Sequence, residues 1–201
     1  AGTLSIEFSS DKEKIITNCG ALDKATGNAA YLRYSAAHST IILENTNISE
    51  IRDNQPHIKF PQTVSFKKEL DGSIHSVEAS HNGYIKNYKK IVKRKINFQE
   101  NINYLMGEDS IISATSNNRE VIFHIRFHIL PNINVTQTNS RKNIILKTNN
   151  NAMWIFKSNK DLVLEESVFI DKNDVKETKQ IVIKGITKKN MEKVKWSLLK
   201  K

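Results

Sequence analysis

Alternation of apolar and polar residues over 121–130 constrains the fold more than any other feature of the sequence. The odd-numbered positions of this segment are all apolar, and His124, Arg126 and His128 stand at even-numbered positions between them. A period of two places these sets on opposite faces of a β-strand, whereas a helix would scatter both around its surface. The segment therefore predicts a strand with one buried face and one polar face.

Further runs of strand length follow one another along the chain, and Asn, Asp and Gly separate them, as at Asp71-Gly72. The runs are Thr3–Phe8, Lys14–Thr17, Thr40–Leu43, Thr63–Leu70, Ser73–Ala79, Ile91–Phe98, Ser110–Ala114, Ile133–Gln137, Asn143–Lys147, Met153–Lys157, Leu162–Ile170, Lys179–Lys184 and Val194–Leu199. Short strands at this spacing predict an all-β fold, an antiparallel two-sheet β-sandwich with little helix. Segment 20–37 is predicted as a long loop or short helix, and Pro56 and Pro61 mark another loop.

The length of 201 residues agrees with one sandwich domain over 1–201, because the sequence has neither a repeat nor a linker. Cys19 is the single cysteine, which excludes a disulfide within the chain. No apolar run approaches the roughly 20 residues of a membrane-spanning helix. The P-loop, GxGxxG, GxSxG, CxxC and HExxH signatures are also absent from the sequence.

Positive charge is concentrated in one part of the chain, whose net charge is +10. Residues 1–80 carry 8 Lys and Arg against 10 Asp and Glu, whereas residues 81–100 carry 6 against 1. Such a block is typical of proteins that bind a polyanion, either an acidic sugar polymer or a nucleic acid. Two alternatives stay open, a solvated strand with its turn and an A- and T-rich genome that favours Lys codons.

Strand alternation divides the basic block between two faces. It places Lys90, Val92 and Arg94 on one face, and Lys93 and Lys95 on the other. The block is therefore not a single continuous charged surface.

Two histidines have neighbours that favour a functional role. His38 stands among small residues in Ala36-Ala37-His38-Ser39-Thr40, which leaves its imidazole room to reach a ligand or a metal. His81 opens the turn His81-Asn82-Gly83-Tyr84, whose His and Tyr suit contact with sugar rings. The alternatives are a hydrogen-bonded structural histidine at 38 and ordinary hairpin-turn residues at 81–84.

Ten short motifs in a fixed order resemble a known family, the C-terminal β-sandwich domain of heparinase II/III-like proteins, in the bacterial subgroup with an Asn-Cys-Gly motif. The resemblance covers nearly the whole chain, and its fold is a supersandwich-like β-sandwich. The motifs are Thr3-Leu4-Ser5-Ile6-Glu7, Asn18-Cys19-Gly20, Ala36-Ala37-His38-Ser39-Thr40, His81-Asn82-Gly83-Tyr84, Gly107-Glu108-Asp109, Phe127-His128-Ile129-Leu130-Pro131, Trp154-Ile155-Phe156, Glu165-Glu166-Ser167, Gln180-Ile181-Val182 and Trp196.

The resemblance implies a polysaccharide lyase that cleaves uronic-acid-containing polysaccharide by β-elimination. In this family an N-terminal α/α toroid precedes the sandwich and supplies the catalytic Tyr. We therefore expect the chain alone to be inactive, with His81 and Tyr84 as the first suspects if it is not. The expected partners are an acidic polysaccharide and the toroid; a membrane is not expected, nucleic acid is disfavoured, and periplasm and cytoplasm stay open.

The resemblance also implies a metal site, usually zinc, in the intact protein. Its ligands would be a His-x-His segment before Ala1, His38, and Cys19 at a position where relatives have Asp. Thiolate and imidazole both bind zinc, so Cys at this position is chemically compatible with a zinc site. The alternative is a Cys19 that is simply a small buried residue.

The candidate substrate-binding residues combine charge with ring surfaces, and they are His81, Tyr84, Lys93, Arg94, Lys95, Arg126 and His128. After the His-Asn-Gly-Tyr motif, relatives often have Gly and then His with Arg, whereas this chain has a lysine-rich stretch there.

The rival hypothesis is a non-catalytic carbohydrate-binding or interaction module with the same sandwich fold.

Overall fold

The computed structural model describes residues 1–22, 30–51, 59–116, 119–172 and 174–201, which are built almost entirely from strands. The strands are β1 (Phe8–Ser10), β2 (Glu13–Thr17), β3 (Gly20–Leu22), β4 (Ile41–Leu43), β5 (Val64–Asp71), β6 (Ile74–His81), β7 (Lys90–Gln99), β8 (Tyr104–Ser113), β9 (Ile122–Ile129), β10 (Asn134–Gln137), β11 (Asn143–Lys147), β12 (Met153–Ser158), β13 (Leu162–Lys172), β14 (Asp174–Ile186) and β15 (Met191–Lys200). Helix in these ranges comprises α1 (Ile85–Tyr88) and the 3-10 turns Ala30–Arg33, Ser35–Ala37 and Glu100–Ile102. None of these helical segments has the length or apolarity that a membrane crossing requires.

The strands form two sheets, which confirms the predicted all-β sandwich with little helix. The seven-stranded sheet has the order β1-β2-β9-β14-β13-β3, and β4 pairs with β9 beside β2. The eight-stranded sheet has the order β10-β11-β12-β15-β8-β7-β6-β5. Neighbouring strands are antiparallel except β3 and β13, which run parallel at the edge of the seven-stranded sheet.

Strand β9 shows the alternation that its sequence predicts. Phe123, Ile125 and Phe127 are fully buried between the sheets, whereas His124 and Arg126 lie half-buried on the outer face. His128 is also on the outer face, but it is buried because the segment around Ala36 covers it.

The predicted strand over Thr3–Phe8 is wrong, because β1 begins only at Phe8. Leu4 has a left-handed backbone with φ of 61°, which breaks a strand, and its carbonyl accepts a hydrogen bond from Arg94.

In segment 20–37, β3 and two 3-10 turns replace the predicted loop or short helix in the described part. Residues 23–29 and Pro56 lie outside the described residues.

A continuous apolar core fills the space between the two sheets. Its centre is aromatic: the ring of Phe127 from the seven-stranded sheet lies 4.8 Å from those of Phe156 and Trp196 on the facing sheet. Offset and edge-on ring pairs of this kind stabilise a core beyond the area that they bury.

One ion pair lies within this apolar core. The Arg94 Nε and Nη2 groups donate to the two carboxylate oxygens of Asp109 at 2.6 and 2.8 Å. Both side chains are at most 2% exposed. Trp196 Nε1 donates to the same carboxylate at 2.9 Å, and the guanidinium lies 5.7 Å from the Phe127 ring centre. The pair satisfies its own polar atoms, which burial of two charges requires.

We predict that Arg94→Met destabilises the protein by about 3–5 kcal/mol, because it leaves the Asp109 carboxylate buried without a cation and with only the Trp196 hydrogen bond. The matched control is Lys93→Met, since Lys93 pairs with Glu78 at 2.6 Å on the exposed face, and its loss should cost less than about 1 kcal/mol. Urea unfolding of both variants gives the two free energies. Equal losses in the two variants would contradict the role assigned to the buried pair.

Candidate functional site

The sequence-predicted site residues lie in three separate parts of the sandwich. Cys19, His38, Arg126 and His128 lie on the outer side of the seven-stranded sheet. His81 and Tyr84 lie in the core, at the end of β6. The alternate residues Lys93 and Lys95 lie on the outer face of the eight-stranded sheet, and Arg94 between them points inward.

His128 is the centre of a buried polar group on the seven-stranded sheet. Its Nε2–H donates to the carbonyl of Ala36 at 3.0 Å, and its Nδ1 accepts from the Ser167 hydroxyl at 2.8 Å. The Cys19 Sγ atom lies 3.5 Å from the same Nδ1. These partners are satisfied by a neutral imidazole, and burial lowers the pKa of His128 to about 4.

Cys19 is buried beside this imidazole, and burial raises the pKa of its thiol. A protonated thiol is a poor nucleophile and a poor metal ligand. Cys19 could become a zinc ligand only if the metal itself displaced the thiol proton.

His38 uses one of its two ring nitrogens in a hydrogen bond to the backbone. Its Nδ1–H donates to the carbonyl of Tyr34 at 2.8 Å, so its Nε2 carries the free lone pair. A hydrogen bond from the second ring nitrogen to a carbonyl is the usual support for a ligating imidazole. Gly2 packs against the ring, where an added Cβ would lie 2.3 Å from the His38 Cδ2 atom.

A metal site is nevertheless incomplete within the described ranges. No group of three or more His, Cys, Asp and Glu side chains there could hold an ion. An open pocket of about 630 Å³ adjoins His38, and Thr17, Asn18 and Gly20 contribute to its wall. His38 therefore fits the metal that the resemblance implies, but other ligands would have to come from beyond these residues.

Within the motif Asn18-Cys19-Gly20, the first and last residues each have a structural role of their own. The Asn18 Oδ1 atom accepts from the backbone N–H of Ser39 at 2.9 Å, which holds the residue next to His38. Gly20 has φ of +85°, and a Cβ there would lie 1.9 Å from the Ile170 carbonyl oxygen. Only glycine therefore allows β3 to pair with β13 at this point.

Ser39 connects this motif to β9. Its hydroxyl donates to the carbonyl of Thr17 at 2.6 Å and accepts from the backbone N–H of His128 at 2.8 Å. Arg94 donates to the Ser39 carbonyl at 2.9 Å. The position of His38 is thus determined by both sheets.

Arg126 is part of an ionic group on the same outer face. It donates to Glu165 and to the Gln180 side-chain oxygen, each at 3.1 Å. Lys184 Nζ lies 2.7 Å from the other carboxylate oxygen of Glu165. Two cations share one carboxylate, so the group keeps a positive charge, and the Arg126 side chain is 15% exposed.

His81 and Tyr84 are sequestered. His81 is 1% exposed and Tyr84 is fully buried. The Tyr84 hydroxyl donates to the Thr46 carbonyl at 3.0 Å, and burial raises the pKa of this phenol. The His81 Nδ1 atom accepts from the Gly83 N–H at 3.1 Å, and burial lowers the pKa of His81 to about 4. In this arrangement neither side chain reaches a polymer, which differs from the sequence-based hypothesis.

Sequence reasoning assigned no role to four residues that build this region, Asn18, Ser39, Glu165 and Ser167. A usable signal exists for Glu165 and Ser167, because residues two apart on a strand share a face. The contacts of Asn18 and Ser39 join segments that are distant in sequence, and no local sequence pattern predicts such contacts.

The family model described as heparinase II/III-like, C-terminal, matches residues 1–197. The chain belongs to this family. Among curated protein sequences, none matches it. Its solved structural neighbours include heparan sulfate lyase HepC from Pedobacter heparinus, with a TM-score of 0.78 and 13% identity over 98% of this chain and 30% of that one.

A heparinase III gene product superimposes with a TM-score of 0.77 and 9% identity, over 98% of this chain and 30% of that chain. An α-N-acetylgalactosaminidase from Bifidobacterium bifidum has a TM-score of 0.52 and 10% identity, over 99% and 34%. At such identities the likeness shows a shared fold. The chain spans about 30% of the length of the two lyases.

Acid should destabilise this heparinase-like domain through His128. The unfolded imidazole takes up a proton near pH 6.5, whereas the folded one does so only near pH 4. Between these values the unfolded state binds more protons, so stability falls by about 1.4 kcal/mol per pH unit as pH decreases. His128→Gln should show a shallower decline in urea unfolding from pH 7 to pH 4. The control is His75→Gln, since the His75 side chain is 43% exposed, and equal slopes in both variants would contradict the assignment.

Proposed function

We propose that this chain is the C-terminal domain of a longer polysaccharide lyase that cleaves uronic-acid-containing polysaccharide by β-elimination. The observation that carries the proposal is the family match over 1–197, together with a fold shared with heparan sulfate lyases over 98% of the chain. In this proposal the domain supports substrate binding and a metal site, and the remaining part of the protein supplies the catalytic base.

The β-elimination reaction determines which chemical groups such a protein must provide. The proton beside a uronic carboxylate is weakly acidic, and its removal builds negative charge on that carboxylate. Fixed cations and hydrogen-bond donors lower this barrier because they stabilise the developing charge. A base removes the proton, and an acid protonates the leaving oxygen.

On the seven-stranded sheet, Arg126 and Lys184 are best suited to stabilise the negative charge that develops on the uronic carboxylate. Both hold Glu165, yet together they leave a net positive charge on this face. His128 acts indirectly in this proposal, because its bonds to Ala36 and Ser167 fix the segment that carries His38. Arg94 likewise acts from the core, through the Ser39 carbonyl.

The metal in the proposal is zinc, with His38 as one ligand and Cys19 as a second candidate. A zinc ion at this position would join the segment before Ala1 to the sandwich and polarise the groups around it. His38 Nε2 supports the assignment because its lone pair is free. Cys19 is less well placed, since its thiol is protonated and contacts His128.

The 201-residue chain alone should not degrade heparan sulfate or another uronic polymer. The reason is that His81 and Tyr84, its candidate base residues, are buried in the core. The assay follows the ultraviolet absorbance of the unsaturated product, with the longer protein as the positive control. Robust turnover by the 201-residue chain would show that it contains the complete catalytic set.

In the longer protein, His38→Ala should abolish stoichiometric zinc, because Nε2 of this residue is the proposed ligand. Cys19→Ala should remove zinc only if the thiolate is also a ligand; otherwise it should cost a modest amount of stability as a small cavity forms. Elemental analysis measures the zinc content, and His75→Ala is the control. One equivalent of zinc retained by His38→Ala would overturn the ligand assignment.

A second candidate function is a non-catalytic carbohydrate-binding or interaction module. The burial of His81 and Tyr84 agrees with the absence of a catalytic base in the described part of this chain, which both candidates require. The same lyase assay on the longer protein distinguishes the two candidates, because a module would bind the polymer and release no unsaturated product.

A further inference from the structure

A groove of about 520 Å³ lies on the outer face of the eight-stranded sheet, on the opposite side of the sandwich from His38. Its walls carry three lysines from three different strands, Lys95 on β7, Lys157 on β12 and Lys195 on β15. Volumes of this size are ordinary for ligand sites. None of the described groove residues belongs to the region around His38 and His128 or to the buried turn 81–84.

Strand register explains how the lysines converge. Lys95 and Lys195 both lie directly opposite Glu108, one on each neighbouring strand of β8. Lys157 lies opposite Ser197, which is two residues after Lys195 on β15 and therefore on the same face. Strands β7 and β12 are three interstrand spacings apart, roughly 14 Å. The cations are therefore arranged in a row across the sheet.

The three ammonium groups are only weakly compensated. Glu108 binds Lys193 at 2.8 Å, and its distance to Lys195 is 4.0 Å. Within the described ranges, no carboxylate lies within ion-pair distance of Lys95 or Lys157. The other lysine of the basic block on this face, Lys93, is bound to Glu78. The groove thus brings together three lysines of this face that have no close carboxylate partner among the residues that the structure describes.

The remaining lining suits a sugar ring. Met106 and Tyr104 are half-buried on the outer face of β8 and provide apolar surface. Asn97 and Ser197 add uncharged polar groups beside the lysines. A pyranose ring with acidic substituents has matching chemistry, because its C–H face is apolar and its sulfates or carboxylates are anionic.

We infer that this groove is an accessory binding site for a stretch of acidic polysaccharide. The inference rests on the proposed function for the class of polymer, and it adds a location that leaves the His38 side free. A lyase with such a site would keep hold of a long polymer while another part of that polymer is being cleaved.

The groove is less suited to single-stranded nucleic acid. Binding of that kind uses exposed aromatic faces on which bases stack. Of the two aromatic residues in the described lining of the groove, Trp196 is 3% exposed with its ring stacked on Phe156 in the core, and Tyr104 is half-buried. At most one ring of this lining is therefore available for stacking with a base. The spread of the three lysines also favours an extended polymer over a single small anion.

The test compares two triple variants of the 201-residue chain that lose the same charge. The groove variant is Lys95→Gln, Lys157→Gln and Lys195→Gln, which keeps part of each aliphatic stem. The control variant is Lys12→Gln, Lys188→Gln and Lys189→Gln, in exposed turns away from the groove. The probe is a fluorescent heparan sulfate oligosaccharide, and anisotropy gives Kd over a salt series around 0.15 M.

We expect the groove variant to lose at least about tenfold in affinity and to have a weaker salt dependence, with less than about threefold loss in the control. Equal losses in both variants, or no binding by the unmodified chain, would overturn the site. Competition by an oligo-dT strand as strong as that by unlabelled heparan sulfate would overturn the polymer class. Lyase activity of the longer protein is a separate measurement, so the proposed function can stand when the groove fails.

Discussion

The Arg94–Asp109 ion pair is the interaction on which the rest of the sandwich depends. Four of the five N–H donors of the guanidinium are used, two on Asp109 and one each on the carbonyls of Leu4 and Ser39. The pair thereby joins β7 and β8 to the first residues of the chain and to the segment after His38. Burying two charges is expensive, so this arrangement is stable only when every partner is present. The candidate metal ligand and the aromatic core are therefore positioned by one group of contacts.

Strand alternation predicted much of the fold because each sheet has one buried face. The pattern in β9 was correct at every core position, and the division of the basic block into two faces was correct as well. The inward direction of Arg94 follows from the same parity, since Val92 is also buried. What the local pattern does not contain is the partner, because Asp109 meets Arg94 only through the register of β7 and β8.

The candidate site was harder to predict because its residues meet through long-range contacts. Cys19 and His128 are far apart in sequence and come together only when β2 pairs with β9. His81 and Tyr84 form the predicted turn, yet the Thr46 carbonyl and the core enclose them. Composition and motif order identify such residues as unusual, but burial decides which of them a substrate can reach. In this chain burial separates Lys95 on the surface from His81 in the core.

The parallel pairing of β3 with β13 has a consequence for the order of folding. Gly20 aligns with Ile170, so the first strands complete their sheet only after most of the chain is available. Loop-closure entropy delays contacts of such long sequence separation. During synthesis, the eight-stranded sheet can begin as local hairpins such as β5–β6 and β7–β8, and β1 can pair locally with β2. The pairing of β2 with β9 and of β3 with β13 must wait until those later strands are made. The segment carrying Asn18, Cys19 and Gly20 is thus among the last parts of this domain to be locked in place, although it precedes β9 and β13 in the chain.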